Sequence, residues 1–416
     1  MPKQQFANPL YIFFLVLPAF ISSGFVSITL PYLLVHNGFS VAQTAAIVAV
    51  GVSANLWRFV WGPVADLTLS LRKWYWIGVI ACTAMLLILC VIPLTVKGAV
   101  LLTSLVFISQ IAGTFVLLPI GGFMANRIEE HHKGRASGWY QAGNLGGTGL
   151  GGGAGLWLAT HYNVEVAGIG LCIASLLSAL IVMLIQDVKQ ETQKSIVKEM
   201  ATLGKDILGM LKVPIILFVI ILLMLPIGTG AASNLWSAIA NDWKTDADTV
   251  ALVTGLLSGI IGGVGSVIGG FLIDRFGNWI AYLGSGALCA VVTIIMAVLP
   301  YNPEAFIGGV LAYAFGLGLL NAAFSSVILF AIGKKNASTK YSLLSSLGNL
   351  PVVYMTVFDG WAHDKHDSKY MLVAEAVVGI IFIAICVVVL KQIKVKTLAP
   401  EQDEEQEIID SIGASA

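Results

Sequence analysis

"GFLIDRFG", residues 270–277, ends one apolar stretch of the chain, and half of its 416 residues earlier "GPVAD", residues 62–66, ends another. In both, an aspartate stands four residues after a glycine, and basic residues follow: Arg275 directly, Arg72 and Lys73 after a short gap. A feature that recurs at half the chain length points to a duplicated architecture.

Composition says what is duplicated. The chain is 57% hydrophobic and 11% charged, whereas charged residues make up about a quarter of an ordinary soluble domain. A helix needs roughly 20 apolar residues to cross the hydrocarbon core. Twelve such segments can be read, over residues 9–34, 40–66, 74–96, 99–125, 135–159, 165–186, 213–238, 249–273, 279–300, 304–332, 338–359 and 370–390. The expected fold class is an all-α polytopic membrane protein, with twelve transmembrane helices in two six-helix pseudo-repeats. Residues 187–212 divide it into bundles over 1–186 and 213–391. Within this linker Ile196, Val197, Met200, Leu203, Ile207, Leu208 and Leu211 recur at helical spacing between lysines, which predicts an amphipathic surface helix. Residues 392–416, with "EQDEEQE", read as a disordered acidic tail.

Charge sets the orientation. With alternate connections on opposite sides, one side collects 18 of the 23 basic residues, among them Arg72, Lys73, Arg127, Lys133, Arg135, Arg275, Lys334 and Lys335. The positive-inside rule makes that side, and both termini, cytoplasmic. Trp74, Trp139 and Trp279 fall at its predicted edge, and Trp157, Trp243 and Trp361 at the other, as interfacial anchors do. "MPKQQFANPL" runs straight into a full span, so the first helix is the expected targeting signal rather than a cleaved leader. All five cysteines lie in apolar spans without CxxC spacing, so neither disulfides, a metal nor another cofactor is expected.

Two glycine runs stand out. "GNLGGTGLGGGAG", residues 143–155, contains a formal GxGxxG, but it lies mid-span with no preceding strand and is not a dinucleotide site. Its four-residue period, Gly143, Gly147, Gly151 and Gly155, makes one smooth helix face, and Gly255, Gly259 and Gly263 repeat it in span eight. Such faces allow close helix packing. They are expected to meet as a sliding seam.

Charged and amide residues inside spans mark the candidate substrate path, because a charge at mid-membrane costs roughly 2.5 to 3.5 kcal/mol on insertion scales. Arg58 lies past the middle of span two, where its side chain leans away from the cytoplasmic edge. It is the candidate ligand for an anionic substrate. Asn55, Gln110, Gln141, Asn144, Asn234, Asn321, Asn349 and Tyr354 are candidate polar lining, although helix-to-helix bonds would satisfy the amides equally well. Glu375 sits inside span twelve and Asp359 closes span eleven, and these are the candidate coupling carboxylates. "HDKH", residues 363–366, reads as a polar outer loop rather than a metal pair.

The paired glycine–aspartate motifs have a mechanical reading. An aspartate at a helix end can pair with an arginine or cap a neighbouring helix, and it locks helix ends only while that contact lasts. Gly62, Asp66, Arg72, Lys73, Gly270, Asp274, Arg275 and Gly277 are therefore candidate latch residues. The motif G-x-x-x-D-R-x-G after the second helix of each half resembles the signature of the major facilitator superfamily. That resemblance implies a transporter in which the two bundles rock about a central site. "STKYSLLSSLGNLP" (338–351), "VWGPVAD" (60–66) and "KGRASGWYQAGN" (133–144) are similar to the AmpG-type muropeptide permeases and related siderophore permeases.

The narrower resemblance implies proton-driven import (symport) of a bulky, polar, anionic solute across a bacterial inner membrane. Those permeases carry an aspartate in helix four where this chain has Gly122. The expected partners are a small-molecule substrate, protons and the lipid bilayer, with no nucleic acid, and the expected state is a monomer. An enzyme would need a converging nucleophile and base or metal ligands, and none is visible. Efflux of drugs or lipids is the competing transport reading.

Overall fold

The computed structural model describes residues 6–58, 60–61, 68–129, 132–187, 209, 214–332 and 337–393. The amphipathic linker helix, Gly62, Asp66 and the acidic tail lie outside the described residues. Those described fold into twelve helices, several of them interrupted. They are α1 (Tyr11–His36), α2 (Val41–Trp57), α3 (Leu71–Val91), α4 (Ala99–Arg127), α5 (Lys133–Gly149, continued to His161), α6 (Val164–Leu184), α7 (Pro214–Leu223, resumed at Ala231–Asn234), α8 (Ala247–Phe276), α9 (Asn278–Val298), α10 (Pro303–Ile332), α11 (Ala337–Leu347 and Leu350–Lys365) and α12 (Ser368–Ile393).

Eight of these helices are long and apolar enough to cross a membrane by length and composition. Of the other four, α2 is a shorter apolar helix over its described length, Val41–Trp57, and the glycine-rich α5 and the interrupted α7 and α11 each trade hydropathy or continuity for a close contact or a break. Helix starts follow local chemistry. Ser40 and Gln43 form a reciprocal capping box at α2, with bonds of 3.2 and 3.0 Å. The carboxamide of Asn163 caps α6 and the carboxylate of Asp246 caps α8.

Arg72, Arg127 and Arg275 lie at one end of the bundle, the basic end. His36, His161 and His363 lie at the other. Within the first six helices, α1 packs on α4, α5 and α6, and α3 on α4 and α6; within the last six, α8 and α9 pack on α10, and α9 and α11 on α12. At the end opposite the basic one, a single apolar cluster joins Val41 and Ala45 of α2 and Leu156 of α5 to Trp236 and Trp243, which follow α7, and to Phe306 of α10 and Met371 of α12. The two sets of helices share a core there.

The seam between α5 and α8 loosens steadily along its length. A Cβ on Gly255 would fall 2.6 Å from the Gly153 Cα, and one on Gly153 would fall 2.7 Å from the Ala251 carbonyl oxygen. Closer to the basic end the clearances are 3.4 Å, for Gly259 against Leu145 and for Gly263 against the Leu145 side chain. Beyond that, Gly138 and Gly270 meet nothing within 4 Å. Across the bundle, a Cβ on Gly360 of α11 would come within 2.3 Å of Ala45 of α2. Along this seam α5 and α8 are pressed together at the end opposite the basic one and parted at the basic end.

This corrects the expected seam. Gly143, Gly147, Gly151 and Gly155 face α1 in their own half, against Val16, Phe20, Ile21 and Thr29. The Thr29 hydroxyl fastens that contact by donating to the Gly151 and Gly152 carbonyls at 3.0 and 2.9 Å. It is Gly149 and Gly153, on the adjacent ridge of α5, that meet Gly255. A helix with glycine on two faces can approach two neighbours, and the four-residue period identified only one of them.

Candidate functional site

Helix α7 breaks in mid-course, and the break positions the most concentrated chemistry of the chain. Residues 224–230 are "MLPIGTG". Pro226 has no amide proton to continue the helix, and Gly228 and Gly230 take φ of +55° and +78°, which suit glycine. The break exposes backbone groups that must find partners inside an apolar bundle. Helix α11 supplies one of them, the Tyr354 hydroxyl donating to the Met224 carbonyl at 2.9 Å, and the Asn234 side chain adds a tie to the same helix by donating to the Thr356 hydroxyl at 3.0 Å.

The two candidate coupling acids converge beside this break. Asp359 is fully buried and Glu375 is 8% exposed, and the two interact electrostatically. Asp359 does not close its helix as expected, because α11 runs on to Lys365. Its position is therefore internal. Tyr313 of α10 donates to Glu375 Oε1 at 3.0 Å, and Ala232, on the resumed part of α7, lies near the same carboxylate. Both Asp359 oxygens and Glu375 Oε2 have no hydrogen-bond partner among the described residues. A narrow cleft of about 10 Å³ adjoins Glu375 and is lined as well by Pro226, Gly228, Thr229, Gly286 and Tyr313 among others.

Arg58 stands where α2 tightens from an α-helix into the 3₁₀ turn Ala54–Trp57. That turn packs against α4 of its own half and against the first segment of α11 from the other. Arg58 thus sits at a boundary between the halves. It is half-buried and takes no hydrogen-bond or ion-pair partner among the described residues. A second hollow, of about 350 Å³, lies between α2 and α4, is wholly apolar and is lined by Trp57, Trp61, Phe107, Ile108 and Ile111, without Arg58.

The remaining polar candidates divide. Gln110 lies 3.5 Å from the Ser22 hydroxyl, next to a Ser22–Ser109 contact of 2.9 Å that ties α1 to α4. Asn234 is spent on the Thr356 hydroxyl of α11, and Asn349 on its own helix, donating to the Ser345 carbonyl at 2.9 Å across the interruption of α11. Gln141 is exposed and accepts from Asn144 at 3.3 Å, while Asn321 is exposed and Asn55 half-buried. The structure does not gather all eight around Arg58.

Of the candidate latch residues, Arg72 donates to the Ile185 carbonyl and, through its backbone amide, to Asp187 Oδ1 at 3.1 Å. Arg127 joins it on the same helix end, bonding to the Gln186 carbonyl at 2.9 Å. These arginines clamp the end of α6 to α3 and α4, within one half. Lys73 is exposed. Asp274 and Arg275 are also exposed and form no salt bridge among the described residues; Arg275 lies over the Phe276 ring at 5.4 Å. Gly277 ends α8 at φ +81°, and Gly270 meets nothing within 4 Å.

Sequence reasoning missed the polar lacing at the opposite end. His36 meets Asn241 at 3.3 Å and His161 meets Asp248 at 3.6 Å, each contact joining the two halves. His363 belongs to the last turn of α11, not to a loop, and its Nε2 bonds to Asp242 Oδ2 at 3.1 Å, an oxygen that also accepts from the Ser368 hydroxyl. Burial alone would raise the Asp242 carboxyl, but the His363 and Ser368 hydrogen bonds and the His363 charge bring it below its ordinary value. Burial alone would lower His363, and Asp242 with Asp364 raises it above its ordinary value. Among the described residues no group of three His, Cys, Asp or Glu is arranged to hold a metal.

Comparison with known proteins completes the description. A family model described as Major Facilitator Superfamily matches residues 12–352 and 217–413. The fold is similar to that of the nucleoside transporter NupG, with a TM-score of 0.70, 14% identity and coverage of 91% of this chain and 98% of that one. A D-xylose–proton symporter gives a TM-score of 0.68 at 14% identity, covering 91% and 96%. A bacterial homologue of the human lysosomal transporter Spinster, in an inward-facing and unoccupied conformation, gives 0.70 at 14%, covering 91% and 95%. No curated protein sequence matches the chain.

Proposed function

The chain belongs to the major facilitator superfamily, and from that premise we propose that it is a proton-coupled secondary transporter importing a polar, anionic solute such as a muropeptide or siderophore. One observation carries the substrate class. Arg58 sits at the boundary of α2, α4 and α11 with no protein partner among the described residues. A cation so placed in an apolar bundle is retained at a cost that an anionic ligand offsets.

The two six-helix bundles rock about the α5–α8 contact, and the basic end is the cytoplasmic one, with both termini on that side of a bacterial inner membrane. In the conformation described, the far end is shut by the shared apolar cluster and the basic end is parted. This geometry suits release of solute into the cytoplasm. Asp359 and Glu375 act as the coupling acids, because two carboxyls converge inside the helical bundle with no basic partner among the described residues, and a proton taken up there is released as the bundles rock. Asp66 and Asp274, with Arg275, form contacts at the basic end in the opposite conformation and hold it shut. Arg72 serves the same end by fixing α6. The polar groups Gln110, Gln141, Asn144 and Asn321 supply hydrogen bonds to the solute. The chain works as a monomer.

A second reading, efflux of lipophilic drugs or lipids, is favoured by the apolar hollow lined by Trp57, Trp61 and Phe107. Counterflow in proteoliposomes decides between them. With an imposed pH gradient, labelled muropeptide or siderophore should exchange; exchange of a lipophilic cation alone would reject import of an anion.

A further inference from the structure

Three carboxylate oxygens beside the α7 break lack hydrogen-bond donors, Oδ1 and Oδ2 of Asp359 and Oε2 of Glu375. A single proton on one of the acids supplies one donor and leaves at least two of the three oxygens without one. No basic side chain pairs with either acid among the described residues, so the charge is also unanswered. The cleft that Glu375 lines is bounded as well by Pro226, Gly228 and Thr229, which stand outside the helix and so have backbone carbonyls free of the helical ladder. An interrupted membrane helix with freed carbonyls and a nearby carboxylate is the kind of oxygen-rich setting that a small hard cation occupies. The end of the Pro214–Leu223 segment points its negative pole at the break and adds to the attraction. Thiols and imidazoles are not gathered here in the numbers a transition metal requires.

We infer that the break in α7, together with Asp359 and Glu375, forms a binding site for Na⁺, which competes there with the proton. The site rests on the reading of these residues as coupling acids for its purpose, and on the geometry of the break for its existence. Na⁺ there takes lone pairs from Glu375 Oε2 and the carbonyls of the break, and its charge offsets the negative charge that Asp359 and Glu375 bring together. Tyr313, donating to Oε1, leaves Oε2 turned to the ion. Because Asn234 ties the resumed part of α7 to α11, occupancy of the break also fixes the angle between the two parts of α7.

The test is ²²Na⁺ binding to the purified full chain in lipid nanodiscs, with choline chloride holding ionic strength constant. Saturable binding of about one ion per chain is expected, weakened at least tenfold in Asp359→Asn and in Glu375→Gln. Binding no greater than to empty nanodiscs, or undiminished in both variants, overturns the site. Should the variants not fold, the wild type decides: binding must fall as pH is lowered, since protons and Na⁺ seek the same oxygens, and pH-independent binding overturns the proposal. Uptake driven by a pH gradient in Na⁺-free buffer separates this from the proton-coupling reading. It can succeed while ²²Na⁺ fails to bind, or fail while ²²Na⁺ binds.

Discussion

Tyr313 of α10 donates its hydroxyl to Glu375 of α12 across 3.0 Å, inside a part of the bundle where both side chains are almost wholly removed from water. The bond ties together two helices that flank the break in α7, and it determines which carboxylate oxygen remains free. Tyr313→Phe removes the donor and leaves the ring. A buried hydrogen bond to a charged group contributes about 1.5 to 3 kcal/mol, so a lower thermal unfolding temperature is expected. The pH profile of gradient-driven uptake should move with it. An unchanged profile in a folded variant would show that the tyrosine only packs.

The α5–α8 seam predicts a second outcome. Gly255→Val places a side chain against the backbone of Gly153, where no rotamer relieves the overlap. Overpacking of this kind costs about 1 to 3 kcal/mol, and here it acts on the closed end alone. Ala45→Cys, fully buried beneath that end, reports the change, since the native cysteines are all buried. A maleimide should label it several-fold faster in the Gly255→Val background. Gly308→Ala, added where nothing lies within 4 Å, should leave the rate unchanged.

The contact between Asp242 and His363 gives a pH dependence. His363 is raised by its carboxylate neighbours, so its contribution is complete below its ordinary value of 6.5 and is lost as pH rises through the raised value. Asp242 is lowered, so its contribution is complete above its ordinary value of 3.8 and is lost as pH falls through the lowered value. The pair is therefore at full strength in mildly acid solution. Partial exposure of Asp242 limits it to about 0.5 to 1 kcal/mol. The unfolding temperature of the wild type should exceed that of His363→Gln at pH 5.5, and the gap should narrow by pH 8.5. A gap that widens with rising pH would refute the assignment.

Arg58→Gln should leave the unfolding temperature close to that of the wild type and weaken anionic solute binding at least tenfold, about 1.4 kcal/mol. Asp66→Asn and Asp274→Asn should do the reverse, leaving equilibrium binding intact and slowing turnover. Equal binding by the wild type and Arg58→Gln, measured by isothermal titration, removes the case for the arginine as a ligand.

The fold was legible because apolar length and a repeated motif each leave a plain mark in the chain. The site was legible in its acids and not in its geometry. Glu375 and Asp359 could be picked out as costly residues, but their convergence depends on the break in α7, and 213–238 reads as one span when only hydropathy is counted. The signal was present: Pro226, Gly228 and Gly230 fall within five residues, a density that interrupts a membrane helix. Tyr313 left no such mark, being one aromatic among many in an apolar helix. The four-residue glycine ladder of α5 misled for a related reason. Spacing shows that a face is smooth, but which neighbour lies against it is settled by the other helices.

The contact of Gly153 with Gly255 has one more consequence. Main chain rests on main chain there, with no side chain between that could swing aside. A joint of this kind cannot yield locally. It serves as a fulcrum, and any movement that reseals the basic end must turn α5 and α8 about it as stiff levers, so a small displacement at the pivot becomes a larger one at the far tips. Placing the fulcrum near one end of the levers rather than at their middle makes the two openings unequal in width, the wider being the one at the basic end.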